Sequence, residues 1–189
     1  MTNNIPYQSL QKPTTTSCNP DQTKCRRAHC LPLLLLFILL AIIYANSFKG
    51  TWVFDDKPNI VSNSKVHMDL FTWDNVQKTF YGIPGDKIKR PLSYLSFALN
   101  YFVHDLDTLG YHLVNFSIHC LAALFLYLLI FQTLHLPMLK EKFEDRAGSI
   151  ALLATLLWDT SPIQVTAVTY IVQRMASMAA LFFIMAMYF

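Results

Sequence analysis

Directly behind Lys24, Arg26 and Arg27 the sequence enters an unbroken apolar run over residues 31–45. Such a run must be buried as a core helix or sit in a bilayer. A basic flank before it keeps the preceding residues in the cytoplasm. Pro32 falls where the first turn of a helix tolerates proline. A cleaved signal core is the competing reading, but the polar lead over 1–30 is long for one, and no small-residue cleavage site precedes Asn46. The run is read as a retained first transmembrane helix, about 31–48. Composition agrees. Hydrophobic residues make up 53% and charged residues 14%, where soluble domains average ~25% charged. The fold class expected is all-α: a polytopic membrane protein with about four transmembrane helices and a cytoplasmic N-terminus.

Residues 1–30, with Pro6, Pro13, Pro20 and a Thr/Ser run, have no apolar periodicity and read as a disordered cytoplasmic tail. The remainder, 31–189, reads as one transmembrane module, with helices at about 31–48, 111–134, 147–159 and 171–189. Between the first two lies a long extracytoplasmic loop, 49–108. It carries short amphipathic patterns: Trp73, Val76 and Phe80 on one face, then Leu92, Leu95, Leu99 and Phe102 after Pro91. The second pattern, 91–103, spans only ~20 Å as a helix, which suits an interfacial helix better than a crossing one. Residues 81–86 have turn chemistry. Lys140, Lys142 and Arg146 in a short connector return the chain to the cytoplasm. Asp159, Thr160, Ser161 and Pro162 stop the third helix short, and the fourth begins near Ile171. That helix is still running at Phe189, so the chain reads as a fragment, inactive by itself.

A net charge of +3, spread over loops, implies no nucleic-acid partner. Cys18, Cys25, Cys30 and Cys120 form no disulfide framework, and the spacing of Cys25 and Cys30 fits no zinc pattern. Palmitoylation of a juxtamembrane cysteine is the alternative use. His112, Asn115 and His119 share one helix face in the second span. Polar groups there either join helices or line a wet cavity. The two histidines are two turns apart without an acidic ligand on their helix, so no metal site is expected. The adjacent acids Asp55 and Asp56, just beyond the first span, are either a loop feature or the start of an active site. Adjacent carboxylates in general repel each other's charge, which would suit a base.

Three motifs in order resemble one group: Trp-Val-Phe-Asp-Asp-Lys-Pro-Asn-Ile at 52–60; Arg-Pro-Leu-Ser-Tyr at 90–94 with Gly-Tyr-His-Leu-Val-Asn-Phe-Ser-Ile-His at 110–119; and Ser-Pro-Ile-Gln-Val-Thr-Ala-Val-Thr-Tyr-Ile-Val-Gln-Arg at 161–174. They look like the N-terminal part of the O-mannosyltransferase-like membrane proteins with tetratricopeptide repeats, of the GT-C glycosyltransferase superfamily. The third motif looks more like bacterial members, which implies a bacterial inner membrane rather than the endoplasmic reticulum. The resemblance implies transfer of a sugar from a lipid-linked (polyprenyl-phosphate) donor to a protein or glycan acceptor on the extracytoplasmic side. By motif match, Asp55 or Asp56 is the catalytic base on the acceptor hydroxyl. Arg90 is the donor-phosphate residue, since a guanidinium binds phosphate bidentately. His112 and Asn115 are placed in the same pocket. Some superfamily members use a divalent metal ion, and two Asp leave that open. Ser161 and Thr166 stand where relatives often carry His and Glu, which motivates a second reading as a degenerate membrane scaffold. A transporter is disfavoured, because the ionisable residues cluster at one surface rather than the midplane.

Overall fold

The computed structural model describes residues 20–83 and 87–189. The regular structure of the described residues is helical, without strands. Helix α1 (Pro20–Ile43) starts inside the stretch expected to be a disordered tail, so Pro32 lies within the helix rather than in its first turn. Residues 1–19, Pro84, Gly85 and Asp86 lie outside the described residues, as do the side chains of Cys18, Cys25 and Cys30. A 3-10 turn, Ala45–Lys49, ends this element. The loop then makes a π-type turn at Lys57–Val61 and two helices, α2 (Trp73–Phe80) and α3 (Pro91–His104). Thr72 caps α2 by accepting a hydrogen bond from the Asn75 N–H.

Helix α4 (Thr108–Leu134) is the axis of the fold, capped by Asp107. Its 27 residues extend ~40 Å. Beyond it come α5 (Pro137–Phe143), α6 (Ala147–Asp159), α7 (Val165–Thr169) and α8 (Arg174–Tyr188). Both α6 and α8 pack along α4, and α1 leans on α6. Two segments, Thr108–Leu134 and Ile171–Tyr188, are long and apolar enough to cross a membrane, and Leu31–Ile43 is a shorter apolar helix. On α1 the side chains of Leu34, Leu35, Ile38 and Ile42 are exposed. A continuous apolar face of this kind is what a bilayer covers.

Three apolar clusters hold the helices together. Ile60, Val66, Met68, Val76, Tyr94, Phe97, Tyr111, Ile171 and Met175 join the loop, α3 and the start of α8. Leu36, Leu40, Tyr44 and Val168 join α1 to α7. Ile118, Ala122 and Leu181 join α4 to α8. The first cluster positions the site, because it seats the 49–108 loop on the helix ends instead of leaving it in solvent.

Candidate active site

A cavity of about 500 Å³ opens where the loop meets α3 and α8, lined by Asp55, Asn59, Arg90, Tyr94, Tyr170 and Gln173, with Met175, Ala176 and Ala179 among its apolar wall. Residues from three separate stretches of sequence meet here. Tyr94 donates to Asn59 Oδ1 at 2.7 Å, and the Asp55 N–H donates to the Tyr170 hydroxyl at 3.0 Å. Arg90 contacts Met175 Sδ through Nη1 at 3.4 Å. A side chain at Gly82 would collide with the Tyr94 ring, so glycine is what lets the 81–83 backbone lie against this wall.

Of three non-glycine residues with positive φ among the described residues, two stand beside this cavity and the third, Asp105, lies elsewhere. Phe54 (φ 40°) and Arg90 (φ 54°) adopt left-handed conformations without being glycine, a geometry that costs ~1 kcal/mol or more per residue. Arg90 is followed by Pro91, which disfavours the right-handed helical region for the residue before it. Its left-handed backbone caps α3.

The two acids differ in role. Asp55 is exposed on the cavity, and its carboxylate makes no hydrogen bond among the described residues. Asp56 is fully buried. Its Oδ1 accepts the Val172 N–H at 2.7 Å and its Oδ2 accepts the Val53 N–H at 3.1 Å. Asp56 therefore ties the loop to the turn before α8 and holds Phe54 in its strained geometry. Burial raises its pKa above the ordinary 3.8, against the two N–H donors and His112, which lower it, while Asp55 adds to the rise.

A raised folded-state pKa gives a contribution to stability that is present at low pH and fades as pH climbs through that value. The stability gap between the native protein and Asp56→Asn is thus expected to narrow as pH rises from about 4 towards neutrality. Thermal unfolding in detergent across that range checks it.

His112 and Asn115 do not line the cavity. Both are fully buried behind it. A Cβ at Gly50 would lie 2.7 Å from His112 Nε2, so the ring is packed hard against the backbone of the loop's first residues. Asn115 Nδ2 donates to the Ile171 carbonyl at 3.2 Å, and its Oδ1 accepts Arg174 Nε at 2.7 Å. The helix face they share was legible; its use in fixing the turn before α8 depends on residues more than fifty positions away.

Arg174 enters the sequence reading only as the last residue of the third motif. It is fully buried, with Nη1 donating to the Ser96 carbonyl at 3.2 Å and Nη2 to the Tyr111 carbonyl at 2.9 Å. Its guanidinium carbon stands 4.7 Å from the Phe97 ring centroid and 5.5 Å from that of Tyr111. An arginine opening an apolar run was the available signal. Deeper in the bundle, His119 Nε2 lies 3.5 Å from Asp159 Oδ1, and Trp158 stacks on His119. Spacing within one helix does not reveal that acid, because it arrives on α6. Among the described residues, no group of three or more His, Cys, Asp or Glu side chains is assembled to hold a metal ion.

The sequence is similar to those of several known proteins. The chain is 30% identical over 187 residues to protein O-mannosyl-transferase F38B6.6 of Caenorhabditis elegans, which covers 94% of this chain and 26% of that relative. It is 31% identical over 157 residues to protein O-mannosyl-transferase TMTC3 of Mus musculus (80% and 16%), and 32% over 177 residues to TMTC1 of Homo sapiens (88% and 19%). The chain's homologues are protein O-mannosyl-transferases.

It spans between about a sixth and a quarter of the length of these O-mannosyl-transferase relatives. These relatives are animal proteins, so neither a bacterial-type chain nor a bacterial inner membrane is supported. No family model and no solved structure matches the chain.

Proposed function

We propose that the Asp55–Arg90 cavity is the sugar-transfer site of a GT-C-type membrane glycosyltransferase, taking mannose from a polyprenyl-phosphate donor to a hydroxyl of an acceptor protein. The observation that carries this reading is the meeting of Asp55 and Arg90 on one cavity, beside the apolar flank of a helix long enough to cross a membrane. A ligand with a charged head and a lipid tail needs both surfaces at once.

Asp55 is the base in this scheme, since Asp56 already has each carboxylate oxygen engaged by a backbone N–H. Its carboxylate takes the proton of the acceptor hydroxyl while the hydroxyl oxygen bonds the anomeric carbon. The bond from that carbon to the phosphate oxygen breaks, and its electron pair leaves on the phosphate. Arg90, whose guanidinium can bind bidentately, meets that growing charge. The scheme takes α1, α4, α6 with the following turns, and α8 as four crossings, with the 49–108 loop outside and the basic connector inside. The membrane in this scheme is that of the endoplasmic reticulum rather than a bacterial inner membrane, the relatives being animal proteins.

Steady-state transfer by the full-length protein tests the phosphate role. Arg90→Gln is expected to raise the donor KM by about tenfold or more, and Arg90→Lys to recover only part of it, because a point charge cannot replace the guanidinium fork. An unchanged donor KM in Arg90→Gln would remove Arg90 from the site.

A further inference from the structure

A second cavity of about 240 Å³ lies on the other side of Gln173, lined by Ile163, Gln164, Thr166, Ala167, Ser177 and Ala180, and it shares Gln173 and Ala176 with the Asp55–Arg90 cavity. They are neighbouring lobes along the start of α8, with Gln173 lining both. The lobes differ in chemistry. The first carries a carboxylate and a guanidinium, whereas the second has no charged side chain. Its polar groups are two carboxamides and two hydroxyls over a floor of alanines.

Gln164 and Gln173 make no side-chain hydrogen bond among the described residues, and both are half-buried. Each carboxamide therefore presents a free donor pair and a free acceptor. That combination matches a peptide unit, which offers one N–H and one C=O. The alanine floor lets an extended backbone approach closely.

Gln173 is held rigidly, although its own amide is free. Asp56 grips Val172, Asn115 grips the Tyr170 and Ile171 carbonyls, and buried Arg174, the next residue after Gln173, bonds Asn115. Ser177 Oγ bonds the Gln173 carbonyl at 3.1 Å. A carboxamide fixed this way at the junction of two lobes can set the distance between whatever occupies each.

We propose that the Gln164–Ala180 lobe seats the backbone of the acceptor polypeptide, and that Gln173 positions its hydroxyl-bearing residue towards Asp55. This rests on the sugar-transfer reading of the neighbouring lobe. The occupant's chemistry is a peptide in extended form, recognised by its amides rather than by side-chain charge.

Direct binding separates this proposal from the transfer reading. The probe is a short fluorescent peptide of Ser, Thr and Ala, added to full-length protein in detergent without donor. Ala180→Phe, which fills the lobe from an exposed position on α8, is expected to weaken peptide binding by about tenfold. Gln164→Ala, which lies outside the Asp55–Arg90 cavity, is expected to weaken it less, and to raise the acceptor KM while leaving the donor KM unchanged. N-methylation of the peptide backbone is expected to abolish binding to the native protein. Undiminished binding by Ala180→Phe, or equal binding of the N-methylated peptide, overturns the proposal even if sugar transfer proceeds. Binding of a free oligosaccharide in the peptide's place, blocked by Ala180→Phe, also overturns it. Loss of transfer with peptide binding intact in the native protein would instead overturn the transfer reading alone.

Discussion

Arg174→Ala is expected to destabilise the fold by about 3 kcal/mol, in the range of large-to-small substitutions in cores. The guanidinium lies between the Phe97 and Tyr111 rings and donates to α3, α4 and Asn115 at once. Its removal leaves a cavity where three helices meet and orphans Asn115 Oδ1. Relief from burying a charge offsets part of that loss, but nothing then fills the space. Arg174→Lys keeps the charge and still loses most of the stability, because an ammonium cannot span acceptors on two helices and a side chain. Thermal unfolding of the three proteins in one detergent gives the order native, then Lys, then Ala. A Lys variant equal to native would mean that charge rather than the fork is what matters.

The second large effect concerns the paired acids. Asp55→Asn is expected to lower kcat for sugar transfer by about 10²- to 10⁴-fold, the usual contribution of a positioned base. The folded protein is expected to tolerate it, since the Asp55 carboxylate has no hydrogen bond to lose among the described residues. Asp56→Asn behaves in the opposite way. An amide NH₂ turned towards Val53 or Val172 loses one of the two N–H bonds to the buried carboxylate, so stability falls first and activity follows it. Unfolding temperature and single-turnover transfer, measured on both variants, distinguish a base from a clamp.

These two residues show where sequence reading reached its limit. Motif and position pointed to the pair but could not divide it, because the division depends on Val172, more than a hundred residues downstream. The helix stripes of 73–80 and 91–103 were legible from their periodicity and appear as α2 and α3. The long apolar pattern near 111–134 appears as α4. The early start of α1 was not legible, since residues 20–30 are polar and carry no stripe. His112 and Asn115 were correctly placed on one face, yet a face does not say whether it meets a cavity or a neighbouring backbone. Here both meet backbone: His112 lies against Gly50, and Asn115 bonds the carbonyls before α8. In the sequence Gln173 stands only as a member of the third motif. Its place between two lobes comes from tertiary packing.

The most direct measurement is photo-crosslinking of a polyprenyl-phosphate mannose analogue, with a diazirine on its first isoprene unit, to the full-length protein in membranes. Adducts are expected on the α8 wall of the Asp55–Arg90 cavity, at Met175, Ala176 or Ala179, and they are expected to fade in Arg90→Gln. Adducts confined to the leucine groove between α1 and α6, at Leu35, Leu39, Leu152 or Leu156, and undiminished by Arg90→Gln, would contradict a donor site at Asp55 and Arg90.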